Sequence, residues 1–289
     1  MKKDKVEHVG FPSVINGNFI IQLPKGSEEL LIEGIYNNNT ITVADTVTFF
    51  TLRKSRLNII NFTGHSKNCL IDQCRISVSL TPDNESEDLY IKNSIIGFIT
   101  GNSETAVLGI DNCVIPLIEA PYDTQDCGSS YGTNAMYKNN IIGDVMSQYL
   151  HQSVWGNYCD QRYSRSLPSA SIAYNNVFIQ GNADNALIQS GNMTSDLTEL
   201  FDYEQINYDD SKTYELIPEA ATAFLGTDGT QVGIYGGDTP FTNVPTNPQI
   251  TQKNIATKSK SDGKLNVNIT VEAQNQINNK IVAFDSLKI

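Results

Sequence analysis

The chain has 289 residues, with 32 Asp and Glu against 20 Lys and Arg, for a formal net charge of −12. A surface so acidic repels phosphate backbones, which argues against nucleic acid as a partner. No apolar run reaches the roughly 18 residues that span a bilayer and no heptads occur, so neither a transmembrane segment nor a coiled coil is expected. The opening MKKDKVEHVGFPSVINGN is basic but lacks an apolar core, and no secretory signal peptide is visible in it. Either the protein is retained in the cell or an export signal lies upstream of Met1. Richness in Asn, Thr, Ser and Gly favours export to an extracellular or cell-surface location.

From the N-terminus, NFIIQL (18–23), ELLIEGIY (29–36), TITVADTVTFFTL (40–52) and RLNIINF (56–62) read as strands. They are rich in Ile, Val, Thr and Phe and are broken by the turn compositions PKGSE, NNN and TGHSKN. Gly64-His65-Ser66 lies in the last of these turns, where His65 reads as an ordinary surface residue. No stretch shows helical periodicity.

A short pattern then recurs: LIDQCRI (70–76), YIKNSII (90–96), GIDNCVI (109–115), MYKNNII (136–142) and IAYNNVF (172–178). Each copy is an apolar strand, a polar turn and a second apolar strand. Self-similarity at a near-fixed period marks a solenoid. The column Gln73, Asn93, Asn112, Asn139, Asn175 steps by 20, 19, 27 and 36 residues, so the short steps give the bare coil and the long ones carry insertions. Asn tolerates the left-handed backbone of a sharp turn. The column's amides are expected to face inward, pair with turn groups that lack a ladder partner, and stack from coil to coil. Cys74 and Cys113, one residue on, read as small buried members of the stack. Asp72, Lys92 and Asp111, one residue before, read as a solvated ladder of alternating charge.

The insertions are PLIEAPYDTQDCGSSYGTN (116–134) and a longer segment at 143–170. The longer one collects Tyr149, His151, Trp155, Tyr158, Arg162 and Tyr163, the candidate ligand-binding residues, because aromatic faces on a loop stack on sugar rings. The competing role for the same residues is to cover an open side of the coil. If both insertions emerge on one side they form a wall over adjacent coils. Cys127 and Cys159 lie in these insertions and could pair; with Cys69 the total of five and the lack of CxxC spacing argue against a zinc site. No cofactor is expected. Asp196, Glu199, Asp202, Glu204, Asp209 and Asp210 offer calcium ligands, but without the Gly-bounded spacing of a calcium loop.

The segment YELIPEAATAFLGTDGTQVGIYGGDTPF (214–241) resembles the closing coil of right-handed parallel β-helix proteins of the pectin-lyase-like group, especially the exported ones of gut Bacteroidetes. In those, a Pro-Ala-Ile-Gly stretch leads into a Gly-Thr-Asp-Gly turn and an Asp-Ile-Gly-x-Tyr strand. This chain keeps Gly226, Thr227, Asp228, Gly229, Gly233, Tyr235, Gly236 and Gly237. It departs at Gln231, where the group has Asp, and at Pro218-Glu219-Ala220-Ala221; the departures bear on a cation role there and leave the fold implied. The resemblance spans about 57–248. It implies an all-β protein, a right-handed parallel β-helix over 1–248, and handedness agrees with the rule for parallel crossovers. Residues 249–289 read as a C-terminal β appendage of three strands, with an Asp-Gly turn at 262–263 and alternation in LNVNITV (265–271).

Enzymes of this fold act on polysaccharides. A lyase needs a Lys or Arg base beside calcium-binding carboxylates, and a hydrolase needs two facing carboxyl groups. The cations of the repeat region are Arg75, Lys92, Lys138, Arg162 and Arg165; only Asp123 and Asp126 of the first insertion could approach Arg162 and Arg165 of the second. Polygalacturonase-like motifs do not occur. The sequence therefore points to a non-catalytic exported or surface β-helix protein that is structural or binds a polysaccharide or surface glycan. The alternative is a polysaccharide lyase or glycoside hydrolase with a dispersed active site. A groove with two or more carboxylates near Arg162, Arg165 or Lys138 would separate them.

Overall fold

A computed structural model of the chain describes residues 13–15, 17–21, 30–44, 47–63, 66–82, 87–100, 108–120, 135–152, 159–168, 171–242, 249–255, 258 and 267–272. Its body is a parallel β-solenoid with an eight-stranded and a twelve-stranded sheet. Each rung gives one strand to the eight-stranded sheet, turns a corner, and continues into the twelve-stranded one. Lys67–Asp72 and Arg75–Thr81 form one rung, and Leu108–Asp111 and Val114–Ala120 another. All five sequence repeats are such strand–corner–strand units. Ile71, Ile91, Ile110, Tyr137 and Ala173 of the first sheet and Ile76, Ile96, Ile115, Ile142 and Phe178 of the second stack between them, each at most 1% exposed.

The corner takes the left-handed backbone expected of it, with φ of 53° at Gln73, 43° at Asn93, 52° at Asn112, 57° at Asn139 and 49° at Asn175. Gly34, Lys54 and Gly191 hold the same place in flanking rungs, with φ of 72°, 48° and 67°. Those rungs do not show the repeat in sequence because Gly and Lys stand where the pattern has Asn or Gln. The run 29–36 accordingly bends at Gly34, and 40–52 divides between strands Ile35–Val43 and Phe50–Arg53.

The expectation that the Asn column faces inward is corrected by the structure. Corner amides continue the backbone ladder: Gln73 N donates to Lys92 O at 3.1 Å, Asn93 N to Asp111 O at 3.1 Å and Asn112 N to Lys138 O at 3.1 Å. These corner N–H groups need no partner from a column amide. The inward ladder is formed one residue later, by Ser55, Cys74, Ser94, Cys113, Asn140, Asn176 and Asn192. Ser94 Oγ accepts Cys74 N at 3.0 Å, Asn140 Oδ1 accepts Cys113 N at 2.8 Å, Asn176 Oδ1 accepts Asn140 N at 3.1 Å and Asn192 Oδ1 accepts Asn176 N at 3.0 Å. Each amide also donates back one rung: Asn140 Nδ2 to Ile110 O, Asn176 Nδ2 to Tyr137 O and Asn192 Nδ2 to Ala173 O, all at 2.9 Å. Cys74 and Cys113 are free and buried, as the sequence indicates, and copy that contact weakly through Sγ to Leu52 O at 3.5 Å and Ile91 O at 3.7 Å.

Residues 195–241 are a cover rather than a further coil. They hold two short helices, Leu197–Leu200 and Pro218–Ala223, which the sequence reading missed, and contribute no strand to either sheet. The segment runs back along the outside of the corner. Asn175 Nδ2 donates to Leu225 O at 3.1 Å, Asn139 Oδ1 accepts Thr227 N at 2.8 Å, Asn93 Nδ2 donates to Ile234 O at 3.0 Å and Gly236 O at 2.8 Å, and Gln73 Nε2 donates to Thr239 O at 3.0 Å and Pro240 O at 3.1 Å. Beneath it, the outward residues Ile95, Val114, Ile141 and Val177 meet Leu200, Phe201, Tyr214, Val232, Ile234 and Phe241 in a second apolar core. Burying each such side chain contributes roughly 1.5–3 kcal/mol. Arg75 closes one end, donating to Lys212 O at 3.1 Å and lying over the rings of Tyr214 and Phe241 at 5.9 and 5.3 Å. Gly233 explains part of the Gly-rich pattern: it holds φ of 80°, and a Cβ there would stand 2.7 Å from Ile141 Cδ1.

At the C-terminus, Gln249–Ile255 pairs antiparallel with Val267–Glu272. These are two of the expected appendage strands; the third, and the Asp262-Gly263 turn, lie outside the described residues. Among the described residues no helix is long and apolar enough to cross a membrane.

Candidate functional site

Tyr149, His151, Arg162 and Tyr163 of the expected aromatic site fall on two antiparallel strands. Strand Ile141–Gln152 outruns its rung and pairs antiparallel with Cys159–Ser164, setting Tyr149 opposite Arg162, His151 opposite Asp160 and Gln148 opposite Tyr163. Trp155 and Tyr158, like Gly64, His65, Asp123, Asp126 and Cys127, lie outside the described residues. Strand Val114–Ala120 pairs with 141–147 in parallel register, Ala120 against Ser147, so both insertions leave the twelve-stranded sheet at neighbouring positions.

A second surface is fully described. On the outer face of the eight-stranded sheet two ladders run side by side. The one next to the corner reads, rung by rung, Glu33, Arg53, Asp72, Lys92, Asp111, Lys138. The alternation expected for Asp72, Lys92 and Asp111 is thus part of a six-rung ladder. Parallel in-register pairing imposes it, since like charges on neighbouring rungs would repel at close range. Arg53 Nη2 lies 3.3 Å from Glu33 Oε2, Lys54 Nζ 3.9 Å from Glu33 Oε1, and Lys138 Nζ 3.7 Å from Asp111 Oδ2. Asn139 Nδ2 donates to the other Asp111 oxygen at 3.1 Å.

Two residues earlier on each strand lies the companion stripe Leu70, Tyr90, Gly109, Met136. A Cβ on Gly109 would stand 2.6 Å from Tyr90 Cδ1 and 2.8 Å from Tyr90 Cε1, so the missing side chain leaves room for one edge of the Tyr90 ring at the next rung. The cover, seated on the corner column, flanks the charge ladder on its other side. There Asp228 Oδ1 accepts Thr230 N at 3.0 Å and Thr230 Oγ1 at 2.8 Å. The ladder therefore lies between the cover and the Tyr90 stripe.

Burial governs the electrostatics of that ladder. It pushes the Asp72 carboxyl up to about 6, against the pull of Arg53, Lys92 and Lys54, and Asp72 Oδ1 has no hydrogen-bond partner. It raises Asp111 as well, opposed by Lys138 and Lys92 and assisted by the charge of Asp228. Lys54 is held below its ordinary value by the same burial. Lys138 thus has two carboxylates acting with it, Asp111 and Asp228, while Arg165 Nε pairs with Asp144 Oδ1 at 3.8 Å. Sequence reasoning missed Tyr90 and Asp228, although Tyr90 opens a repeat whose next copy begins with Gly109.

The acidic run does not converge. Glu199 accepts Ser195 Oγ at 3.0 Å, Asp209 accepts Ser211 N at 2.8 Å, and Asp210 pairs with Arg56. Among the described residues no group of three or more His, Cys, Asp or Glu is placed to hold a metal ion. The chain matches no protein-family model, no curated protein and no solved structure.

Proposed function

We propose that this chain is a non-catalytic glycan-binding β-solenoid, exported or displayed at a cell surface, that lays an extended polysaccharide or surface glycan along the outer face of the eight-stranded sheet. The observation that supports it most is the Tyr90 side chain, whose ring edge sits where Gly109 of the next rung has no side chain, beside charged groups that repeat at every rung. An aromatic face with a polar rim matches the apolar face and equatorial hydroxyls of a pyranose. Rungs spaced about 4.8 Å apart present such groups at close to one per sugar of an extended chain. The insertion carrying Tyr149, His151, Trp155, Tyr158, Arg162 and Tyr163 is proposed as a second contact.

The test is affinity electrophoresis of the full chain through gels containing a panel of polysaccharides, with Tyr90→Ala and Trp155→Ala alongside. Retardation by at least one glycan, lost in Tyr90→Ala while the melting temperature holds, is the expected result. Migration unchanged by every polysaccharide would sink the reading. A pectin-lyase-like activity is the second reading, and Lys138 between Asp111 and Asp228 is what favours it. Release of unsaturated or reducing ends from the same panel, lost in Lys138→Gln, would decide for the enzyme.

A further inference from the structure

We propose that the chain pairs with a second copy of itself, edge to edge, through strand Ile188–Ser190 at the end of the eight-stranded sheet. This goes beyond glycan binding and does not depend on it.

Every rung is a template for the next. Asn139 N donates to Tyr174 O at 3.0 Å, Asn175 N donates to Ser190 O at 2.9 Å, and Met193 N donates back to Asn176 O at 2.8 Å. Ile188–Ser190 ends the eight-stranded sheet and Met193–Thr194 ends the twelve-stranded one, and among the described residues no strand follows either. This last rung therefore keeps one backbone edge open, in the geometry that elsewhere receives another strand. Burial reverses at the same step. Ser171 and Ala173 are fully buried, whereas one rung on Leu187 is 71% exposed, Ile188 is 46% exposed, and Gln189, in register with Ala173, is exposed as well.

Charge and symmetry select a second copy as the occupant. Sheet edges that face water are ordinarily guarded by Lys, Pro or a bulge, yet residues 185–195 contain no Asp, Glu, Lys, Arg or Pro, and the strand pairs with its neighbour without a register shift. Two chains of net charge −12 repel each other over most of their surface. The neutral stretch between Asp184 and Asp196 is a place where they can meet without bringing like charges together. A two-fold axis through Gln189 runs the strands antiparallel and sets Ile188 against Ser190 of the other copy and Gln189 against its own copy. A carboxamide both donates and accepts, so Gln189 is complementary to itself. Leu187 and Ile188 of both chains, exposed in the single chain, then leave water together. Each copy uses up the other's edge, so the pair is closed and no third chain adds to it.

The experiment is sedimentation equilibrium of the full chain over about 1–100 µM, where the mass is expected to rise from one chain to two and stop there. Leu187→Lys and Ile188→Lys should each raise the dissociation constant by at least about hundredfold, because each sets two cations close together across the axis. Both side chains are exposed in the single chain, so the melting temperature of dilute protein should hold in both variants. Val78→Lys, at a position on the other sheet that is also 46% exposed, should leave association unchanged. Amide exchange at 187–191 should slow as concentration rises through the transition. A chain that stays single at every concentration overturns the proposal. So does a dimer that survives both lysine variants, since its interface then lies elsewhere. Masses that climb past two chains would show open head-to-tail stacking, which overturns the closed pair.

Discussion

Gln73, Asn93, Asn112, Asn139 and Asn175 at the corners, and Cys74, Ser94, Cys113, Asn140 and Asn176 immediately after them, form two columns one residue apart. Both contain amides, yet they lie on opposite sides of the backbone. The left-handed corner residue sends its side chain out, where it holds the carbonyls of the returning cover. The residue after it sends its side chain in, where it ties each rung to the one before. Position on the corner decides the role and residue type does not. The inner column has no access to water, so a lost bond there leaves a buried group unpaired; the outer column loses contact with a segment that can itself move.

Adjacent residues give the widest separation of the two. Asn176 is fully buried, accepts Asn140 N at 3.1 Å and donates to Tyr137 O at 2.9 Å. Asn176→Ala strands both groups and is expected to cost about 4 kcal/mol. Asn175→Gly keeps the left-handed corner and loses one bond, to Leu225 O at 3.1 Å, so it should cost under about 1 kcal/mol. Urea midpoints of the two variants measure the difference; equal losses would mean that the columns are equivalent.

Next in size is the close approach of the cover. A Cβ on Gly236 would stand 1.9 Å from Gln231 O and 2.9 Å from Asn112 Oδ1, both inside contact distance. Gly236→Ala should cost about 3 kcal/mol by displacing the cover. Limited proteolysis should then cut within 225–241 while the rungs survive. Collapse of the whole chain in one step would show instead that the second core is inseparable from the first. A milder version is Asn93→Gly, which removes the bonds to Ile234 O at 3.0 Å and Gly236 O at 2.8 Å without changing the corner. It should cost about 2 kcal/mol and speed amide exchange in the cover, leaving the Cys113 amide protected.

The five repeats were legible because strand, corner and strand follow one another within seven residues, and the left-handed corner is a local preference of Asn. The direction of the Asn side chains was not legible. It depends on whether the turn amides already have partners, and those partners, such as Lys92 O for Gln73 N, stand on the next rung about twenty residues away. The Gly-Thr-Asp-Gly…Gly-Gly segment was read as a coil because its resemblance carried that role. Its glycines instead let the backbone press onto Asn112, Asn139 and Ile141. Of the charge ladder, Asp72, Lys92 and Asp111 were visible as an alternation in the repeats. Tyr90 escaped because its role depends on the Gly109 of the following rung, and Asp228 because it acts on the ladder from the cover.

The smallest effect expected lies on the outer face and depends on pH. Burial sets the Asp72 carboxyl at about 6, above its ordinary 3.8, although Arg53, Lys54 and Lys92 face it and favour the anion; Glu33 adds to the rise. A carboxyl raised on folding holds its proton longer in the native state, so between those two values the native state binds more protons than the unfolded one. Stability must then fall as pH rises through that window and level off above it. Asp111, raised for the same reason, adds in the same direction. The denaturation midpoint of the native chain should drop between pH 4.5 and 6.5 by an amount on the order of 1 kcal/mol. Asp72→Asn, which cannot ionise, should flatten that slope while sparing the bonds of the inner column. If the slope persists in Asp72→Asn, or runs upward with pH in the native chain, the attraction of the three cations outweighs burial and the ladder binds its charges as ordinary surface pairs.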